Sequence, residues 1–338
     1  MSATAEHAGC QPALTDPFEI GGVPISNRVL LAPLAGIGNW FVRLQAKRHG
    51  AGLAVSEMVS SFALHYRNER TLRELMRIHP DEHPVSLQLF GHDAEVMRSG
   101  AAIAAEAGAD LIDINMGCPV PKVRRTGAGA QLLRDPDLAL ALARGAIEGG
   151  GGVPVTVKLR SGIEAGDRSG FELAVRLVEE AGVAAIAFHP RAATKGHKGK
   201  PDYALTRELA ERLDVPVIVS GGLSSAAAAR RAYEESGAGA VMIARGSLGN
   251  PWVFEELTGR RREPPPPAEV ATELLWVLDR AEEHLGGERA ERYLRKFYPW
   301  YLERLEAPRE VVEELQRSAD LARARELIGA FAAPAAVA

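Results

Sequence analysis

The chain alternates between short, almost wholly apolar runs and longer stretches in which apolar residues recur every three or four positions. The short runs are "VLLA" (29–32), "LAVSEM" (53–58), "VSLQLF" (85–90), "DLIDIN" (110–115), "VPVTVKL" (153–159), "AAIAFH" (184–189), "VPVIVS" (215–220) and "AVMIA" (240–244). Continuous apolar runs of this length suit parallel strands covered on both faces. Between them lie amphipathic stretches such as "DAEVMRSGAAIAAEAG", "DPDLALALARGAIEGG" and "RSGFELAVRLVEEAG", each closing near a glycine that stops a helix. Strand–helix alternation requires crossover connections and a parallel sheet. Repeated over all the runs, it predicts an α/β fold of TIM type, a (β/α)8 barrel, from about residue 29 to 257. An open doubly wound sheet has the same strand content and is the alternative.

The pattern breaks at "TGRRREPPPPAE", where consecutive prolines cannot continue a helix and read as a stiff linker, 260–267. Beyond it, strand-like runs stop. Residues 268–338 show helical periods rich in Glu, Arg and Leu, which predict a C-terminal all-helical domain of three or four helices. The polar start, "MSATAEHAGCQPALTDP" (1–17), reads as a disordered leader, which leaves 18–259 for the barrel.

Composition narrows the function classes. The chain has 338 residues, 46% hydrophobic and 25% charged, which is ordinary for a soluble globular protein. A net charge of −4 gives no overall pull toward nucleic acid, so any anionic partner needs a local basic patch. Two cysteines, Cys10 and Cys118, make no disulfide framework. The start lacks the layout of a secretory signal and no apolar run reaches membrane-spanning length, so a cytoplasmic location is expected. No metal site is expected, because CxxC, HExxH and histidine clusters are missing. "GAGA" (127–130) is not a dinucleotide fingerprint, since Leu132 stands where the third glycine belongs.

Active sites of such barrels form at the C-terminal strand ends. Those positions hold "APLAG" (32–36), Glu57 and Met58, Gln88, Asn115 and Cys118, Lys158 and Arg160, and His189 with Arg191. They continue with "SGG" (220–222) and "ARG" (244–246). One such group alone is an ordinary polar residue; together, on one face, they predict a site. Ser220, Gly221, Gly222, Ala244, Arg245 and Gly246 end the last two runs, where barrels often bind phosphate. Glycine there lets backbone N–H groups approach an anion, and Arg245 adds a charge. Cys118, between Gly117 and Pro119, could be a buried packing residue, a nucleophile or an acid. A nucleophile needs an activating base, whereas an ordinary thiol, with a pKa of about 8.5, keeps its proton at neutral pH.

The motifs "APLAG", "SEMVS", "LQLFG", "DINMGCPVPKV", "GAGAQLL", "VTVKLRSG", "VIVSGG" and "MIARGSLGNPWVF" occur in that order. Together they closely resemble the flavin-dependent tRNA-dihydrouridine synthases, nearest the bacterial B-type branch, with "NMGCPVPKV" the most specific segment. The resemblance implies an FMN-binding barrel followed by a helical tRNA-binding domain. It also implies reduction of the C5=C6 bond of uridines in tRNA with NADPH or NADH, and a monomer is expected. By the same resemblance Pro33, Leu34 and Ala35 line the flavin, Gln88 and Lys158 bond its ring, and His189 lies near the ring or its phosphate tail. Ser220, Gly221, Gly222, Ala244 and Arg245 would hold the phosphate. Asn115 and Arg160 would contact the uracil edge, and Cys118 would be the catalytic acid. The basic tracts "KVRR" (Lys122, Arg124, Arg125) and "KGHKGK" (195–200), with the aromatic tail "YLRKFYPWYL" (293–302), are the expected tRNA contacts. Three positions depart from the family's pattern: Pro190 after the sixth run, "SGG" in place of "NGD" after the seventh, and Phe297 where the tail often has histidine. A flavin barrel acting on a free pyrimidine or enone, and a non-catalytic RNA-binding barrel, are the competing readings.

Overall fold

A computed structural model of the chain describes residues 11–317 and 320–332. Each apolar run forms a strand: β1 (Val29–Leu31), β2 (Leu53–Val55), β3 (Val85–Phe90), β4 (Leu111–Met116), β5 (Val155–Arg160), β6 (Ala185–His189), β7 (Val217–Ser220) and β8 (Ala240–Ile243). Every neighbouring pair is parallel, and β8 pairs back onto β1, so the sheet closes. Closure decides for the (β/α)8 barrel over the open sheet. The run at 53–58 is shorter than expected, because its chain leaves the barrel wall after Val55 and re-enters only as the two-residue strand Val59–Ser60 beside β3.

Below β1 an antiparallel hairpin, Phe18–Ile20 with Val23–Ile25, closes the bottom of the barrel. Ile20 and Ile25 join Leu30, Leu53, Leu111, Ala185, Ile218 and Ala240 in the interior core. The hairpin's Gly21 has φ +57°, and a Cβ there would stand 2.5 Å from Pro154, so only glycine makes this turn against the wall. Residues 11–17 were expected to be disordered with the rest of the leader, yet they pack. Leu14 is buried, and the Gln11 amide donates to the carbonyls of Tyr233 and Ala238. The rest of the expected leader, 1–10, lies outside the described residues.

After the Pro-rich stretch the chain forms helices Pro267–Leu285, Gly287–Leu294, Tyr298–Arg304, Arg309–Arg317 and Leu321–Ala332. That is more than the three or four expected; Gly286, with φ +76°, separates the first two. Val270, Leu274, Val277 and Leu278 share a single apolar core with Phe41 and Leu44 on the barrel's outer wall. The helical segment is therefore seated on the barrel near β1. Among the described residues no helix is long and apolar enough to cross a membrane.

Candidate active site

The parallel strands send alternate side chains inward. On the β1, β6, β7 and β8 side the inward positions are mainly apolar, including Leu30, Ala185, Ala187, Ile218 and Met242. On the β3–β5 side they are polar: Ser86 and Gln88, Asp113 and Asn115, and Thr156, Lys158 and Arg160. Strand register sets them opposite one another, Gln88 beside Asp113, Asp113 beside Thr156, and Asn115 beside Lys158. A cavity of about 600 Å³ opens above them at the C-terminal ends of the strands.

Of the anticipated residues, the cavity wall contains Pro33, Ala35, Gln88, Asn115, Cys118, Lys158, Arg160, His189, Ser220, Gly221, Gly222, Ala244 and Arg245. Leu34 does not line it. Its side chain is buried in the outer core, and its carbonyl accepts from Ile37 and Gly38 to turn the loop after β1. Lys122, Arg124 and Arg125 also stand outside the cavity, on and just after a short helix, Pro121–Arg124, held down by the buried Val123. Lys122 and Arg125 are exposed, whereas Arg124 is half-buried. Lys195, Lys198 and Lys200 are exposed on the loop after β6, and His197 of the same loop reaches the cavity.

The tail behaves differently from its expected role. Phe297, Tyr298, Tyr301 and Leu302 are buried in the shared core, so they fasten the helical segment and do not present ring faces for stacking. Tyr293 donates to the Ile37 carbonyl and Lys296 to the Gly36 carbonyl, which clamps the loop after β1 to this segment.

Cys118 sits at the rim with its backbone fixed from two sides. Its N–H donates to the Asn115 side-chain oxygen at 2.9 Å, and its carbonyl accepts from Ala130 at 3.0 Å. The "GAGA" tract supplies that second hold. Gly129 has φ +63°, and a Cβ there would stand 2.8 Å from the Cys118 carbonyl, so the tract must be glycine to sit against the cysteine loop. Arg160 braces the other side, its Nε donating to the Gly117 carbonyl at 2.9 Å and its Nη1 to the Gly196 carbonyl at 2.8 Å.

Charge in the cavity is one-sided. Lys158, Arg160, Arg191 and Arg245 line it, and among the described lining residues there is no carboxylate. Burial, then the neighbouring Arg160, lowers the Lys158 ammonium to about 8. Burial and Arg191 bring Arg160 down to about 10. Burial, then Lys158 and the arginines, holds His189 well below the usual histidine range, so it is neutral, and Arg191 Nη1 lies 3.1 Å from its Nε2. An anion entering this cavity would relieve all of these groups at once. Gly221 (φ +95°) and Gly222 (φ +83°) turn beneath it, and a Cβ on Gly221 would collide with His189 Nε2. Glycine backbone, two arginines and two histidines are groups that could hold a phosphate, and the apolar walls of Ala32, Pro33, Ala35 and Ala244 suit a flat ring. Pro190, one of the departures, leaves its carbonyl to accept from the Asp202 N–H, and "SGG", which stands where the resemblance leads one to expect "NGD", lines the cavity.

Two groups escaped sequence reading. Asp113 is buried deep in the barrel, where Gln88 Nε2 and Thr156 Oγ1 each donate to it at 2.6 Å. Burial pushes its carboxyl up to about 6 despite those bonds and Lys158. Asp113 and Thr156 lie two residues before Asn115 and Lys158, so the inward alternation was the signal that could have found them.

Known proteins share both the sequence pattern and the barrel. The dihydrouridine synthase (Dus) family model matches residues 30–335. Curated relatives include tRNA-dihydrouridine synthase B of Xanthomonas axonopodis pv. citri, 36% identical over 84% of this chain and 86% of that protein. The protein of the same name from Pseudomonas aeruginosa is 36% identical over 89% and 91%. Among solved structures, the old yellow enzyme homologue from Zymomonas mobilis aligns with a TM-score of 0.57 at 16% identity, covering 77% of this chain and 96% of that one. Morphinone reductase in complex with tetrahydroNAD aligns at 0.54, with 18% identity and coverage of 77% and 94%. At such identities the structural matches speak for the fold alone.

Proposed function

The chain belongs to the dihydrouridine synthase family, and we propose that its barrel cavity holds FMN and presents Cys118 to a uridine of tRNA. The activity is that of a tRNA-dihydrouridine synthase, a flavin oxidoreductase acting on the C5=C6 bond of uridine. NADPH or NADH is the proposed source of electrons. The observation that carries the site assignment is a continuous cavity that joins an acid-free cationic cradle at β7 and β8 to Cys118 and Lys158 at β4 and β5.

The residues present fit FMN. Gly221, Gly222, Arg191, Arg245 and His189 would take the phosphate, Pro33 and Ala35 would face the ring, and Gln88 and Lys158 would bond its polar edge. When bound, FMN supplies hydride chemistry toward C6 of the base. The protein then has to manage the negative charge that builds at C5 and O4 of the uracil. Cys118 would deliver a proton from Sγ to C5. The Lys158 ammonium would stabilise negative charge in a water-poor cavity, where such an interaction is strongest. Arg160 holds the loop with Nε and Nη1. Its Nη2 makes no hydrogen bond among the described residues and is left for a uracil oxygen. The Asn115 oxygen is already taken by Gly117 and Cys118 and its amino group donates to Gln88 Oε1, so its proposed share in uracil contact is limited to the second amino hydrogen, which has only the Met58 sulfur at 3.8 Å as a partner.

A base must leave its stack to enter such a cavity. Lys122, Arg125, Lys195, Lys198 and Lys200 form no ion pair with a carboxylate among the described residues and stand on the short helix after β4, just behind it, and on the loop after β6. They are the proposed contacts to tRNA phosphates. The test is Cys118→Ala, incubated with unmodified tRNA and NADPH. The variant is expected to retain flavin and to be reduced by NADPH, yet to form no dihydrouridine by mass spectrometry. Wild-type yield and rate in that variant would remove Cys118 from the reaction.

A further inference from the structure

A chain of hydrogen bonds runs from the buried Asp113 to the backbone of Cys118, and every donor in it points the same way. Cys118 N–H donates to Asn115 Oδ1 at 2.9 Å, and Gly117 N–H to the same oxygen at 3.2 Å. Asn115 Nδ2 donates to Gln88 Oε1 at 2.9 Å. Gln88 Nε2 donates to Asp113 Oδ2 at 2.6 Å, and the other carboxylate oxygen accepts from Thr156. Two of the links are carboxamides, which fit equally well in either orientation when their neighbours can both donate and accept. Here the ends cannot do both. Backbone N–H groups can only donate, and an ionised carboxylate can only accept. Both amides are therefore locked in one sense.

We propose that Asp113 is a positioning residue for Cys118: it sets the polarity of the Gln88–Asn115 pair and thereby keeps an acceptor under the cysteine loop. The inference rests on Cys118 being the group that must be placed, as argued above, but the relay itself is independent of the substrate. Its consequence is specific. Asp113→Asn keeps the shape of the side chain, and the oxygen of the new amide keeps the bond from Thr156, whose hydroxyl hydrogen has no other acceptor among the described residues. The new amino group then faces Gln88. Gln88 would turn to offer Oε1, its amino group would face Asn115, and Asn115 would turn in response. The Asn115 amino group would then confront the N–H groups of Gly117 and Cys118, and the loop would lose its acceptor. Asn115→Asp alone sets a carboxylate against Gln88 Oε1. The double variant, Asp113→Asn with Asn115→Asp, reverses the two inner links and satisfies the whole relay again. The amide at position 113 donates to Gln88, Gln88 donates to the carboxylate at position 115, and that carboxylate accepts from the loop.

The measurement is the alkylation rate of Cys118 by iodoacetamide in the flavin-loaded full-length protein, read on the Cys118 peptide by mass spectrometry. Alkylation is expected to speed up about five- to tenfold in each single variant, the size of a lost hydrogen bond of about 1 kcal/mol: Asp113→Asn takes the acceptor away from the loop, and in Asn115→Asp repulsion from Gln88 Oε1 pushes the acceptor out from under it. The double variant is expected to return to within about twofold of wild type, a coupling of opposite sign to the singles. A merely structural role for Asp113 predicts that the double is at least as fast as the faster single, and that result would overturn the proposal. So would an Asp113→Asn rate equal to wild type. If Asp113→Asn does not fold, the comparison of Asn115→Asp with the double variant decides alone: a slower double supports the relay, an equal or faster one ends it. Because the readout is the loop and not turnover, failure of the tRNA reaction in Cys118→Ala and failure of the relay are separate results.

Discussion

The loop after β1 that faces the cavity rests on a buried ion pair, and removing one of its charges gives a prediction with a calculable size. Arg43 and Glu82 are 1% and 0% exposed. The contact is two-pronged, Nε to Oε2 at 2.7 Å and Nη2 to Oε1 at 3.1 Å. The remaining donors are used as well: Nη1 reaches the Gly38 carbonyl at 3.2 Å and Nη2 the Arg77 carbonyl at 2.7 Å. Glu82 also accepts from the His79 N–H. Glu82→Gln changes little in shape but leaves a guanidinium buried without its counter-charge, which costs about 3–5 kcal/mol. Unfolding entropy scales at about 2.1 cal/mol/K per residue, so for a chain of 338 residues it is about 0.7 kcal/mol/K. The expected fall in Tm is therefore about 4–7 °C. Thermal unfolding followed by circular dichroism, with and without flavin, measures it. Arg43→Met with Glu82→Leu should recover much of the loss, because no charge is then left unpaired. A Glu82→Gln protein melting within about 1 °C of wild type would show that the pair is not desolvated, and would undo the reasoning.

Gly221→Ala places a methyl group against His189 Nε2 at a φ of +95°, so the cradle must open. Flavin affinity by fluorescence titration should fall at least tenfold, while the flavin-free protein loses only the strain of about 1–3 kcal/mol; unchanged affinity would show that this turn does not hold the phosphate. Burial lowers both Lys47 and Lys158 to about 8 in the flavin-free protein. Their folded pKa lies below the unfolded one, so each adds stability as pH rises from about 8 toward 10, where only the unfolded state binds the proton. NMR of Cε-labelled lysine should show two resonances titrating near pH 8, one lost in Lys158→Met and one in Lys47→Met; titration of every lysine at its ordinary value would contradict it. Lys122→Ala and Arg125→Ala should each raise KM for tRNA with little change in kcat. Each should also reduce the slope of log affinity against log salt by about 0.7–0.9, and an unaltered slope would exclude that residue as a phosphate contact.

The barrel was legible because its strands are covered on both faces and so are nearly continuous apolar runs, a pattern that survives without knowledge of neighbours. What sequence reading lost was information that depends on neighbours. The tail's Phe297, Tyr298 and Tyr301 look like stacking residues beside cations, yet the barrel's outer wall at Phe41 and Leu44 needs an apolar cover, and these rings supply part of it. Leu34 fits the flavin-lining motif by position, but the turn at Gly38 rotates its side chain outward and leaves Pro33 and Ala35 facing the cavity.

Asp113 shows the same limit from inside. In "DLIDIN" a lone acid within an apolar run looks like an isolated blemish, and attention goes to the strand end at Asn115. Register removes the isolation. Gln88 on one side and Thr156 on the other are its cross-strand partners, each two residues or fewer from a position already singled out. A buried carboxylate held by two donors, with a lysine above it, is expensive to keep unless something depends on its charge. A neutral threonine or asparagine would satisfy either neighbour separately. Only an acceptor without donors sets the direction of the amides that lead to Cys118, and this is why an ionisable group stands at the centre of the barrel.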